Sequence, residues 1–225
     1  MTPLDLGRAR IAVLRHLEFT TPTGADEMLA WIGSPHMTGT RLLFLDRDGV
    51  LNEDSPDYIK APHEFIFHPD VPESLSKLRR KGVSIVIVSN QSGLHRGIIE
   101  WSAFWRTHDH MLGKVREAGG DILAAFYCPH RPEEHCGCRK PRPAMLLAAA
   151  RLYGVHPEST FFIGDRITDL LAAVAAGARP VLMERVPCGD VDWLQYGLVE
   201  PPVRLRDLAG VLSLLDGPPP TNRPK

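Results

Sequence analysis

Five short runs of this chain are apolar on consecutive positions rather than alternate ones: "RLLFLD" (41–46), "VSIVIVSN" (83–90), "ILAAFYC" (122–128), "STFFIGD" (159–165) and "RPVLM" (179–183). A strand with one wet face alternates apolar and polar residues, whereas these runs would place apolar side chains on both faces. Segments with helical spacing stand between them. Val71, Leu75 and Leu78 lie in "VPESLSKLRRKG", which stops at Gly82; a helix over 100–118 stops at Gly119-Gly120; "PAMLLAAARLYG" closes at Gly154 and "TDLLAAVAAG" at Gly177. A last helix is expected in "RDLAGVLSLL". Strands buried on both faces and alternating with helices form a parallel sheet covered on either side, an α/β doubly wound, Rossmann-like fold.

In such sheets sites form beyond the carboxyl ends of the strands. Asp46, Ser89 and Asp165 each stand at that end. In "RLLFLDRDGVLNED" the acids Asp46, Asp48 and Asp54 crowd together, and "GDRITD" adds Asp165 and Asp169. Converging carboxylates repel unless a cation lies among them, and a few hard oxygen ligands suit Mg²⁺, which also accepts a substrate phosphate. Asp46, Asp48 and Asp165 are the expected Mg²⁺ ligands. An aspartate can attack phosphorus and a second can move the proton. Positive charge and donors for the phosphate oxygens are available from Lys140, Ser89, Asn90 and Gln91. Taken singly, an acid after a strand is most often a cap or turn residue; four such pieces in fixed order at successive strand ends are not.

"CPHRPEEHCGCRKP" supplies Cys128, His130, Cys136 and Cys138, three thiolates and an imidazole, a closed tetrahedral zinc set of structural type. His135 is a competing imidazole. Cys188 lies outside the set and reads as an ordinary thiol.

Together "FLDRDGVLN", "VIVSNQSG", "CRKP" and "FFIGDRITDL" resemble the four motifs of the haloacid dehalogenase superfamily of phosphatases, over residues 41–183. The resemblance implies Asp46 as nucleophile, Asp48 as general acid/base, Ser89 and Lys140 on the phosphate, Asp165 on magnesium and Asp169 supporting the site from behind. The cysteine loop and "NQSG" narrow it to the branch of D-glycero-D-manno-heptose 1,7-bisphosphate 7-phosphatases and histidinol-phosphate phosphatases. "KPRPAML" and "DSPDYIKAP" favour the heptose side; the short cysteine loop resembles the histidinol side. By the same resemblance Arg139 holds a second phosphate, with Arg96 as a further candidate and Arg166 where the heptose enzymes usually carry lysine. No insertion is long enough for a large cap domain, so the walls should come from loops 52–68, 91–97 and the cysteine loop.

The expected organisation is an extension over 1–39 without assigned role, the phosphatase domain over 40–216, and a disordered tail over 217–225. A net charge of −1 with no basic stripe argues against a nucleic-acid partner and against a nucleic-acid 3′-phosphatase. No run is long and apolar enough for a membrane span and no signal peptide is visible, so a cytoplasmic enzyme is expected, a monomer with weak dimerisation as the alternative. The competing function from another class is a zinc-stabilised binding module that has lost catalysis.

Overall fold

A computed structural model describes residues 10–14, 27–187, 189 and 191–216. Cys188 and the 217–225 tail fall outside them. Eight strands form one sheet: β1 (Arg10–Leu14), β2 (Glu27–Ile32), β3 (Arg41–Leu45), β4 (Val83–Asn90), β5 (Ala124–Cys128), β6 (Phe161–Gly164), β7 (Arg179–Met183) and β8 (Val203–Leu205). Their order across the sheet is β1-β2-β5-β4-β3-β6-β7-β8, parallel throughout except that β2 runs antiparallel to β5. From β3 the chain winds outward through β4 and β5, then returns to β6 on the other side of β3. The topological switch point therefore lies between β3 and β6, where a crevice opens at the carboxyl ends.

Helices α1 (Val71–Arg80), α2 (Trp101–Glu117), α3 (Ala144–Tyr153), α4 (Ile167–Ala176) and α5 (Gly210–Asp216) supply the covering layers. The strands sort their side chains by parity. Leu43, Leu45, Ile85, Ile87 and Tyr127 join the core packed with Leu75, Leu78, Phe104 and Met111 of α1 and α2. Leu42, Phe44, Val86, Val88 and Phe126 join the core packed with Met145, Ala149, Ala172 and Ala173 of α3 and α4. Burial of both strand faces explains the consecutive apolar runs.

The structure adds strands at both edges. Residues 27–32 are β2, with Leu29 and Trp31 in one core and Met28 and Ala30 in the other. The boundary expected at residue 39 thus does not coincide with an edge of the sheet. "EMLAWI" is short and framed by turn residues, and its strand character comes from pairing with β5. β8 is three residues long and largely exposed, so it leaves no apolar run in the sequence. Between β3 and β4 lie loops, a 3₁₀ turn and α1, and between β4 and β5 loops and α2; among the described residues no separate cap domain covers the strand ends.

Candidate active site and cysteine centre

Asp46 follows β3 and is tied to the switch point by its backbone N–H, which donates to the Ile163 carbonyl of β6 at 2.9 Å. Asp165 follows β6. The two chain ends approach so closely that a Cβ on Gly49, whose φ is +79°, would lie 2.2 Å from Asp165 Oδ2. A Cβ on Gly164 would likewise lie 2.2 Å from the Asp169 Cβ. Glycine is required at both places by the convergence of the acids, and at Gly49 also by the left-handed backbone.

Lys140, on the loop between β5 and α3, reaches the same point. Its Nζ lies 2.9 Å from Asp46 Oδ2 and 2.7 Å from Asp169 Oδ1, and donates to the Val88 carbonyl at 2.9 Å. Burial alone would lower this ammonium, but Asp169 and Asp46 hold it above its ordinary range. Asn90 braces the lysine: it accepts from the Lys140 N–H at 3.1 Å and donates to the Lys140 carbonyl at 3.2 Å. Asn90 thus commits its Oδ1 and one of its two Nδ2 hydrogens to the Lys140 backbone, and it also lines the cleft that opens above these groups.

Carboxylate oxygens of Asp46, Asp165 and Asp169 lie within 4.8 Å of one another. Burial pushes Asp46 up to about 6 against the pull of Lys140, and burial with the charges of Asp46 and Asp169 pushes Asp165 up to about 8. The buried Oδ1 of Asp165 has no hydrogen-bond partner. Asp169 is engaged by Lys140 and by the Arg166 N–H. A divalent cation beside Asp46 and Asp165 fits this donor set: it would relieve the repulsion and fill the orphaned lone pair.

The carboxylate of Asp48 does not join that group, contrary to the sequence expectation of three convergent side chains. Arg47 takes both of its oxygens, with Nε and Nη2 each at 3.0 Å. Asn52 Nδ2 donates to it at 3.0 Å and Gln91 Nε2 at 2.7 Å. Burial would raise Asp48, yet the guanidinium holds it below its ordinary value. Gln91, expected to face the ligand, gives its second amide bond to Ser89 Oγ at 3.1 Å. Arg47 was not among the expected site residues; the available signal was a charged side chain between two acids at the end of a fully apolar strand.

A cleft of about 960 Å³ opens above these groups. It is lined by Asp46, Asp48, Ser89, Lys140 and Asp169, and by Arg96, Arg139 and Arg166. Its walls are the three expected loops, through residues such as Tyr58, Ser92 and Pro132. Arg139 donates to the His130 carbonyl at 3.2 Å, Arg96 stands 3.6 Å from Glu133, and Arg166 pairs with Asp54, an acid to which the sequence assigned no role.

Cys128, His130, Cys136 and Cys138 converge, all essentially inaccessible. Cys136 Sγ is 3.6 Å from Cys128 Sγ and 3.7 Å from Cys138 Sγ, and His130 Nδ1 is 3.4 and 3.3 Å from Cys128 and Cys138 Sγ. A zinc–sulfur bond of about 2.3 Å gives a tetrahedral edge of about 3.8 Å, so the donors already stand close to the spacing of a zinc tetrahedron and too far apart for disulfides. His135 is outside the group, in a left-handed turn with φ 48°.

Residues 23–177 match the family profile described as haloacid dehalogenase-like hydrolase. The chain is 40% identical over 174 residues to a Pseudomonas aeruginosa protein named D-glycero-beta-D-manno-heptose-1,7-bisphosphate 7-phosphatase, covering 77% of this chain and 97% of that one. It is 42% identical over 144 residues to the Pseudomonas putida protein of the same name, covering 64% and 82%. Among solved structures, D,D-heptose 1,7-bisphosphate phosphatase from Bordetella bronchiseptica, complexed with magnesium and phosphate, aligns at a TM-score of 0.72 and 38% identity over 78% of this chain and 98% of that one. The Burkholderia thailandensis enzyme of that name aligns at 0.60 with 28% identity, over 79% and 100%.

Proposed function

The chain belongs to the haloacid dehalogenase-like hydrolases, and on that premise we propose that it is a Mg²⁺-dependent phosphatase that removes the 7-phosphate of D-glycero-D-manno-heptose 1,7-bisphosphate. The observation that carries this reading is one cleft holding both the Asp46–Lys140 pair, 2.9 Å apart, and two further cations, Arg96 and Arg139. The Asp46–Lys140 pair suits attack on a phosphate and the two arginines suit a second anion. Similarity to named heptose enzymes over nearly their whole length supports the sugar bisphosphate and does not favour histidinol phosphate. The assembled acids and lysine speak against an inactive binding module. A reducing cytoplasm, the compartment proposed, keeps the three thiols available to a metal.

In the proposed cycle Asp46 attacks phosphorus, forming an aspartyl phosphate as the bond to the sugar oxygen breaks, and Asp48 gives that oxygen a proton. Water then attacks the aspartyl phosphate, Asp48 takes its proton, and Asp46 is released. As the structure stands Asp48 is held as a base; the approach of a phosphate dianion raises its proton affinity by like-charge repulsion. Lys140 and Ser89 hold the phosphate oxygens. Mg²⁺, held by Asp46 and Asp165, would supply positive charge for the phosphoryl oxygens. Zinc on Cys128, His130, Cys136 and Cys138 would fix the loop that presents Arg139 and Lys140.

The test is kcat/KM for both anomers of the heptose bisphosphate, for histidinol phosphate and for an aryl phosphate. Arg139→Ala should lower kcat/KM for the bisphosphate by roughly 10- to 150-fold, the value of one charged hydrogen bond, and the aryl phosphate far less. Equal losses on both would reduce Arg139 to a brace of the cysteine loop and remove the main residue-level support for a bisphosphate.

A further inference from the structure

Arg47 is 2% exposed. A buried guanidinium is costly unless its N–H groups are matched. Here the matching is specific: two bonds go to Asp48, and Nη2 also donates to Gln91 Oε1 at 3.0 Å. The rings of Phe65 and Phe104 each stand with centroids 5.9 Å from its Cζ, within cation–π range. Gln91, itself 2% exposed, closes the circuit by donating to both Asp48 and Ser89. A charge pair alone would neutralise Asp48. It would not need a glutamine bonded at once to the guanidinium, the carboxylate and the Ser89 hydroxyl.

We infer that Arg47 and Gln91 form a clamp that fixes the Asp48 carboxylate for both of its proton transfers and locks it in register with Ser89. Both are positioning residues, and the inference rests on the phosphoryl-transfer reading above. Misplacement of Asp48 acts differently on the two half-reactions. In the first, the Asp46–phosphorus bond forms, the bond to the leaving oxygen breaks, and the proton of Asp48 goes to that oxygen. In the second, water bonds to phosphorus, the Asp46–phosphorus bond breaks, and the water proton goes to Asp48. p-Nitrophenolate leaves without needing a proton, but its phosphoenzyme still needs a base. A sugar oxygen needs help in both.

The experiment is rapid-mixing kinetics of Mg²⁺-loaded full-length Arg47→Lys and Gln91→Met with p-nitrophenyl phosphate, beside steady-state assays with the sugar bisphosphate. Each folded variant should release a burst approaching about one p-nitrophenol per site, larger than in the wild type, because attack outruns hydrolysis. Turnover of the sugar bisphosphate should fall by about 100-fold with KM within about 3-fold, as misplaced proton transfer lowers kcat rather than binding. A proportional loss on both substrates with no added burst overturns the clamp. If Arg47→Lys does not fold by circular dichroism, Gln91→Met decides alone, since it leaves the Arg47–Asp48 pair in place; wild-type kinetics there overturns the inference. The aryl phosphate arm needs no heptose, so failure of the wild type to use the bisphosphate would undo the proposed substrate and leave the clamp standing.

Discussion

The cysteine cluster and the carboxylate cluster are both gatherings of groups that would repel one another when ionised, yet they are built in opposite ways. The four sulfur and nitrogen donors come from one loop of eleven residues, face inward and are sealed from solvent. The carboxylates come from the ends of β3 and β6 and the start of α4, and two of them, Asp46 and Asp169, border an open cleft. A closed tetrahedral set has no position left for a substrate, whereas oxygens at the edge of a cleft can share a cation with one. On the proposed function the difference separates a centre that shapes the chain from one that does chemistry.

Changes to the two clusters should therefore move different observables. The largest effect is expected for Asp46→Asn: kcat should drop by roughly 10⁵-fold or more, the scale for loss of a covalent nucleophile. Its melting temperature should not fall, because the carboxylate removed is buried and pushed up to about 6. Substantial turnover by the purified variant would sink the nucleophile assignment. Next comes metal removal. The purified chain should carry about one zinc, and stripping it or introducing Cys136→Ser should cost several kcal/mol of stability, since structural zinc contributes folding energy directly. Chelating Mg²⁺ should instead abolish turnover with a small change in melting temperature. Equal thermal effects of the two metals would erase the contrast.

A buried titratable group that needs no cation gives the control. His108 donates to or accepts from the Tyr127 hydroxyl at 2.9 Å, and burial, with smaller contributions from Arg47 and Arg116, lowers it to about 3. The unfolded chain binds this proton from about pH 6.5 downward and the folded chain does not, so stability is complete above that pH and is lost as pH falls towards 3. Roughly 3 kcal/mol should go between pH 7 and 4 from this group. Denaturant melts of wild type and His108→Gln across that range should show a shallower slope in the variant. The smallest effect is expected for Gly49→Ala. A methyl group 2.2 Å from Asp165 Oδ2 on a left-handed backbone should cost about 1–3 kcal/mol. It should also weaken Mg²⁺ by displacing one ligand, read by a Mg²⁺ titration of activity. An unchanged Mg²⁺ midpoint would show that the acids tolerate more room than their packing implies.

Much of this molecule was legible in its sequence. The central strands announced themselves because burial on both faces forces consecutive apolar residues, and the cysteine set because its four donors lie on one short loop whose spacing a zinc tetrahedron can use. Asp46 and Asp165 could be placed at strand ends, since a strand that stops on an acid marks its own carboxyl end.

Tertiary structure decided what depends on partners far apart in the chain. β2 became a strand because β5 offered an edge to pair with, not because "EMLAWI" demanded one. Asp48 and Asp46 are two residues apart and equally acidic in sequence. Burial of the adjacent Arg47 and the approach of the distant Gln91 turned the first away from the carboxylate cluster, while Lys140 and Asp165 held the second inside it. Local spacing fixes which groups can meet on one loop or one strand face. Which of two like charges joins the acid cluster and which is held apart is settled by the fields and hydrogen bonds of neighbours such as Lys140 and Gln91, which only folding brings within 3 Å.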